Sequence, residues 1–145
     1  MLERFHVPND IAVKIKPQDM HATVLDIFMK MGMSHDDANK ASEVLVYADV
    51  RGIESHGVSN MLRRYVEAFN KGDINPTPKP KIIRDMPAAA LLDCDDGHGL
   101  VVGPMAMDMA IERAKKYGIG TVTARNGKHF GAAAFHAAMA LDHNM

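Results

Sequence analysis

The chain has 145 residues, 47% of them hydrophobic and 24% charged, and a net charge of -1. That length suits one domain burying about 68–70% of its unfolded surface, and the charge balance excludes the clustered basic face a nucleic-acid binder needs. A single cysteine, Cys94, excludes a disulfide framework, and no apolar run approaches the roughly 18 residues of a membrane helix, so the expectation is a cytoplasmic protein with no nucleic-acid and no membrane partner.

In chain order, residues 1–10 read as an irregular lead-in, and residues 11–15, Ile-Ala-Val-Lys-Ile, place β-branched residues at alternate positions, as in a short strand. Pro17 suits a first helical turn. Over residues 17–31, Met20, Val24, Leu25, Phe28 and Met31 recur at three- and four-residue spacing, one apolar stripe of a helix closed by Gly32. Ser34-His-Asp-Asp37 resembles a capping box with Asp37 in place of the usual Glu. The helix it opens runs to about Val50 on an apolar face of Ala38, Ala41, Val44, Leu45 and Ala48. A third helix, residues 59–70, turns Met61, Leu62, Tyr65, Val66 and Phe69 inward.

Three prolines in Ile74-Asn-Pro-Thr-Pro-Lys-Pro80 exclude helix and central strand. Beyond them the pattern changes. Residues 81–85 and 89–93 read as a strand pair, and 95–99, Asp-Asp-Gly-His-Gly, as a turn. Residues 102–117 read as a helix with Met105, Met109, Ile111 and Ala114 toward the core. Residues 119–124 read as a strand, 126–130 as a loop and 131–143 as an Ala-rich helix. The fold class is therefore α/β, an N-terminal helical segment followed by β-α-β-α elements of a mixed sheet. The expected division is a helical subdomain over residues 1–75 and the start of an α/β cofactor and substrate domain over 76–145.

Two polar loops stand out. Arg-Gly-Ile-Glu-Ser-His-Gly, residues 51–57, follows the second helix and combines a hydroxyl, an imidazole, a carboxylate and a guanidinium. His56 has the side-chain type that passes a proton near neutral pH, and Ser55 can fix its ring or bind substrate. A loop histidine that merely satisfies nearby backbone is the competing reading. Asn126-Gly-Lys-His129 ends a strand and opens a helix, the place where ligands of α/β folds collect, and Lys128 offers a charge for a phosphate or carboxylate. A solvated turn is the alternative there. Asp96-Gly-His-Gly99 lacks both the six-residue dinucleotide glycine pattern and the lysine of a phosphate loop. Arg63 and Arg64, on the third helix, are of the type that clamps a carboxylate, with a solvent-facing surface arginine as the competing reading. His129, His136 and His143 are spaced by seven, about 10.5 Å on a helix, too far to share a zinc bound at about 2.0–2.1 Å, so no metal site is expected.

These residues together carry a resemblance. Ala48-Asp-Val-Arg-Gly-Ile-Glu-Ser-His-Gly-Val58, Tyr65-Val66, Gly72-Asp-Ile-Asn-Pro76, Asp93 with Gly97-His-Gly99, and Gly118-Ile-Gly120 with Ala124-Arg-Asn-Gly-Lys-His-Phe-Gly131 resemble the malate/L-lactate dehydrogenase family in its order and spacing. That is the non-Rossmann family containing L-sulfolactate, ureidoglycolate and diketogulonate oxidoreductases. The resemblance implies an oxidoreductase that uses NAD or NADP to interconvert a small-molecule 2-hydroxy acid and a 2-oxo acid, working as a homodimer. It implies His56 as proton donor or acceptor, His129 as a second active-site histidine that some members use as the proton acceptor, and Ser55 beside the substrate. Arg63 and Arg64 become candidates for the substrate carboxylate, and Asn126, Lys128 and Gly131 for the cofactor. Asn60 stands where the family commonly has an arginine, and Lys128 where a small residue is common. Family members run to more than twice this length, which implies a truncated, N-terminal portion. A non-catalytic truncated relative acting as a dimerisation or binding module is the alternative.

Overall fold

Local capping and packing explain where most elements begin and end. The computed structural model describes Phe5 and residues 7–145; the rest of the irregular lead-in expected over residues 1–10 lies outside the described residues. Helix α1, Pro17–Lys30, starts on its proline and ends before Gly32, whose φ is +93°. Helix α2, His35–Val50, is capped by Ser34, whose Oγ accepts the Asp37 N–H at 3.2 Å. The Asp37 carboxylate accepts from the Ser34 hydroxyl at 2.9 Å. A Glu would reach back to the Ser34 N–H; the shorter Asp side chain stops at the hydroxyl, so the expected capping box is only half formed.

The predicted strand at residues 11–15 is absent. Ile11, Val13 and Ile15 are exposed and no neighbouring strand offers a ladder, so alternation without a partner leaves the segment irregular. Helix α3, Val58–Lys71, spans the expected stretch and closes on Gly72 at φ +78°. Strands β1, Lys81–Asp85, and β2, Ala89–Asp93, pair antiparallel, with a register shift between Ile82 and Arg84. Helix α4, Gly99–Tyr117, starts three residues before the predicted position. His98 is the reason: its Nδ1 accepts the Leu100 N–H at 3.2 Å, which makes an imidazole the N-cap. Met105, predicted inside, is exposed, while Pro104, Ala106 and Ile111 take the buried positions. Strand β3, Thr121–Arg125, lies parallel to β2, and α5 is the short helix Ala133–Met139.

The sheet order is β1-β2-β3, with α4 as the crossover between the parallel pair. Ala90, Leu92 and Cys94 are buried, and Leu92 and Cys94 cluster with Val102 and Ala106 of α4. The larger core joins Val24, Phe28, Val44, Leu45, Met61, Tyr65 and Ile74 to Leu100 and Val101. The first turn of α4 is thus set into the helical layer, and this contact brings the loop after β3 to the loop after α2.

Candidate active site

The loop carrying His56 is built by its backbone. Gly52 has φ +67° and donates to Asp49 O, while Ile53 N–H donates to Ala48 O at 2.8 Å. This pair of bonds reverses the chain at the end of α2. Residues Glu54–His56 then form one 3-10 turn. Helix α3 has no side-chain cap of its own; the Asp49 carboxylate, reaching across from α2, accepts the Val58 N–H at 2.8 Å. A Cβ on Gly57 would sit 1.7 Å from Asp49 Oδ1, so glycine is required there for this cap. Burial raises the Asp49 pKa above its ordinary value, the Val58 N–H lowers it and the Glu54 charge raises it. Asn60 completes the loop by donating to Glu54 O at 2.8 Å. The residue that departs from the family pattern therefore holds the backbone of the Ser-His turn.

The second loop is zipped to the first turn of α4. Cys94 N–H donates to Arg125 O, Asp96 N–H to Asn126 O and Lys128 N–H to Gly97 O, so the segments leaving β2 and β3 run side by side. At their end Gly99 lies against the carbonyls of Lys128 and His129. Beyond, Gly131 has φ +77° and packs on Leu100, and His136 Nε2–H donates to Phe130 O at 2.8 Å.

The two loops place His56 and His129 face to face. Their ring centroids are 5.4 Å apart with an interplanar angle of 18°. Ser55 Oγ lies 2.9 Å from His56 Nδ1. The Tyr65 hydroxyl lies 2.8 Å from His129 Nδ1, which also accepts the Gly131 N–H at 3.3 Å. Burial, the neighbouring His56 and the Arg64 charge, in that order, push the His129 pKa below its usual value.

The remaining predicted site residues are held as follows. Arg64 is exposed on α3 with its charge felt at His129, whereas Arg63 is exposed and 3.7 Å from Glu67. Asn126 donates to Asp93 at 3.0 Å, the Lys128 ammonium is 2.7 Å from Asp96, and the Gly131 N–H is taken by His129. No group of three or more His, Cys, Asp or Glu that could hold a metal occurs among the described residues. The arrangement suits proton exchange with a small oxygen-bearing molecule. The polar side chains of the second loop, Asn126 and Lys128, are paired with Asp93 and Asp96 at the surface.

Sequence reasoning missed His98. It is 1% exposed, and among the described residues its Nε2 has no hydrogen-bond partner. The rings of Tyr65, Phe28 and Phe69 surround it, Tyr65 at 4.4 Å. Burial, with a smaller contribution from His129, lowers its pKa to about 3. The available signal was Gly-His-Gly ahead of an apolar run, but histidine is an uncommon helix cap.

Comparison with known proteins agrees with this geometry. The family model described as malate/L-lactate dehydrogenase matches residues 15–145. A malate dehydrogenase of Pyrococcus abyssi is 44% identical over the whole chain, which covers 40% of that protein. An L-sulfolactate dehydrogenase of Methanocaldococcus jannaschii is 39% identical over 90% of the chain and 38% of its own length. The solved malate dehydrogenase of Pyrococcus horikoshii superposes with a TM-score of 0.91 at 39% identity, over 97% of this chain and 40% of that one. The chain thus spans about 40% of the length of these relatives. With two histidine loops in the family's order and a fold shared with its solved members, the chain belongs to the malate/L-lactate dehydrogenase family.

Proposed function

We propose that this chain carries the proton-transfer site of an oxidoreductase that interconverts a 2-hydroxy acid and a 2-oxo acid. The observation that carries the reading is the stacked His56–His129 pair, two imidazoles brought together from loops 73 residues apart. In the reducing direction His56 gives its proton to the carbonyl oxygen as that oxygen becomes a hydroxyl, and in the oxidising direction it takes the proton back. Ser55, on His56 Nδ1, orients the ring so that Nε2 faces the substrate. Arg64, the arginine whose charge reaches the pair, holds the substrate carboxylate; Arg63 serves as its second candidate.

A nicotinamide cofactor, NAD or NADP, supplies the hydride when bound. In this reading its reacting end meets the substrate beside the His56–His129 pair, and the chain spans about 40% of the length of its relatives. Asn126 and Lys128 border that end. The Lys128–Asp96 pair is partly exposed, and such pairs contribute about 0–1 kcal/mol, so a phosphate can replace Asp96 at small cost. The relatives named for malate and sulfolactate favour a substrate with a second anionic group. A homodimer and a cytoplasmic location belong to the same proposal.

Histidine-resolved NMR tests the reading without requiring turnover. Titration with oxaloacetate should shift the imidazole signals of His56 and His129 together and saturably, and His56→Ala should abolish the saturable response. Imidazole signals indifferent to every 2-oxo and 2-hydroxy acid would rule the site out.

A further inference from the structure

The two histidines differ in what surrounds their Nδ1 atoms. Ser55 supplies a hydroxyl to His56, and a hydroxyl both donates and accepts, so His56 can carry a proton on Nδ1 or leave it bare. His129 has no such freedom. The Gly131 backbone N–H, which can only donate, points at His129 Nδ1. That nitrogen must therefore present its lone pair, and the Tyr65 hydroxyl on the same atom must donate as well.

We propose that Tyr65 is a positioning residue that, together with the Gly131 N–H, holds the proton of His129 on Nε2, making His129 a neutral hydrogen-bond donor and leaving His56 as the member of the pair that exchanges a proton. This rests on the proposed oxidoreductase reading and assigns the roles within it. Two donors on one nitrogen stabilise neutral imidazole and lose their acceptor if the ring becomes imidazolium.

The remaining surroundings act in the same direction. His56 stacks on the ring from the 3-10 turn, Arg64 adds positive charge from α3, and His98 lies behind Tyr65 at the start of α4. Within its own loop, the Lys128 charge is paired with Asp96. No carboxylate is among the causes acting on His129. Tyr65 is fixed in a donating state by its surroundings. It is 3% exposed, its ring packs on His98 and Phe28, and burial raises its own pKa, which keeps the phenol protonated. In the reaction, His129 Nε2–H then serves as a fixed donor to the substrate oxygen while His56 Nε2 gives or takes the proton. One proton is exchanged per carbonyl reduced.

The test is the nitrogen-15 spectrum of the histidine rings, recorded on the chain without substrate. In the wild type, His129 should show a pyrrole-like Nε2 and a pyridine-like Nδ1, and should titrate below an ordinary histidine. Tyr65→Phe should keep the fold and move the His129 titration upward, because one of the two donors on Nδ1 is lost, while the Gly131 N–H still holds the remaining neutral ring in its Nε2–H form. A pyrrole-like Nδ1 in the wild type overturns the proposal and needs no variant to be seen. An unchanged His129 titration in a folded Tyr65→Phe overturns it too. If that variant does not fold, the wild-type tautomer decides. Because no substrate is present, either failure leaves the oxidoreductase reading standing, whereas a histidine pair unresponsive to 2-oxo acids removes that reading and leaves the tautomer result intact.

Discussion

Gly99→Ala should unfold the second histidine loop from the rest of the chain and abolish the paired response of His56 and His129. A Cβ at Gly99 would lie 2.2 Å from Lys128 O, 2.4 Å from His129 O and 2.5 Å from the His129 carbonyl carbon. All three are backbone atoms, so no change of rotamer relieves the overlap. Either the loop or the first turn of α4 must move, and the loop is bonded to Gly97 through Lys128 N–H. Overpacking of this kind costs about 1–3 kcal/mol or more. Gly127→Ala is the control. Its Cβ would meet Val102 and Cys94 at 3.5–3.6 Å, ordinary contact distances, and stability should stay within about 0.5 kcal/mol. Urea midpoints and the histidine spectra of both variants give the answer; a Gly99→Ala protein as stable as the wild type, with its rings still stacked, would contradict the account.

Stability should fall as the solution is acidified from about pH 7 toward the pKa of His98 at about 3. The folded state keeps this imidazole neutral, since its Nδ1 caps α4 and its Nε2 is shut among aromatic rings. In the unfolded chain it protonates near its ordinary value of 6.5. Below that pH the unfolded state binds a proton that the folded state refuses, so each step down in pH favours unfolding. Above it both states are neutral and the contribution is constant. At about 1.4 kcal/mol per pH unit, the loss reaches roughly 2 kcal/mol by about pH 5, and the whole gap corresponds to on the order of 5 kcal/mol at the acid limit. His98→Asn retains a side chain that caps a helix and removes the titration. It should lessen the fall of the unfolding free energy between about pH 7 and pH 5, the remainder coming from His129, whose pKa is also lowered in the fold. A wild type already flat over that window, or a variant with the same slope, would count against a buried neutral His98.

How much of this was legible in the chain depends on the range of the interaction. Helices α1 to α3 follow from apolar spacing, proline placement and glycine stops, and strands β1 and β2 from two short apolar runs either side of Met86-Pro87. Residues 11–15 have the alternation of a strand and form none, because a strand exists only with a neighbour to bond. The start of α4 was missed because its cap is a histidine. The site shows the same limit. Ser55, His56 and His129 are visible as reactive residue types in two loops, but their stacking depends on the packing of Gly99 and Leu100 under the second loop. Tyr65 reads as core by spacing. It is core, and its hydroxyl also reaches His129. Asn60 reads only as a departure from the arginine common in the family, whereas its amide holds the carbonyl of Glu54.

The central claim is that His56 exchanges the proton of a 2-hydroxy acid, and it is tested most directly by NAD(P)H fluorescence decay with oxaloacetate and pyruvate as acceptors, in the protein expressed from its complete reading frame. The wild type should consume NAD(P)H only when a 2-oxo acid is present. His56→Ala should lose about 10²- to 10⁴-fold of that rate, the range for removing a general acid, with unfolding behaviour unchanged. Full turnover by a folded His56→Ala protein would contradict the claim, and its disappearance in His129→Ala alone would transfer the proton to the second loop.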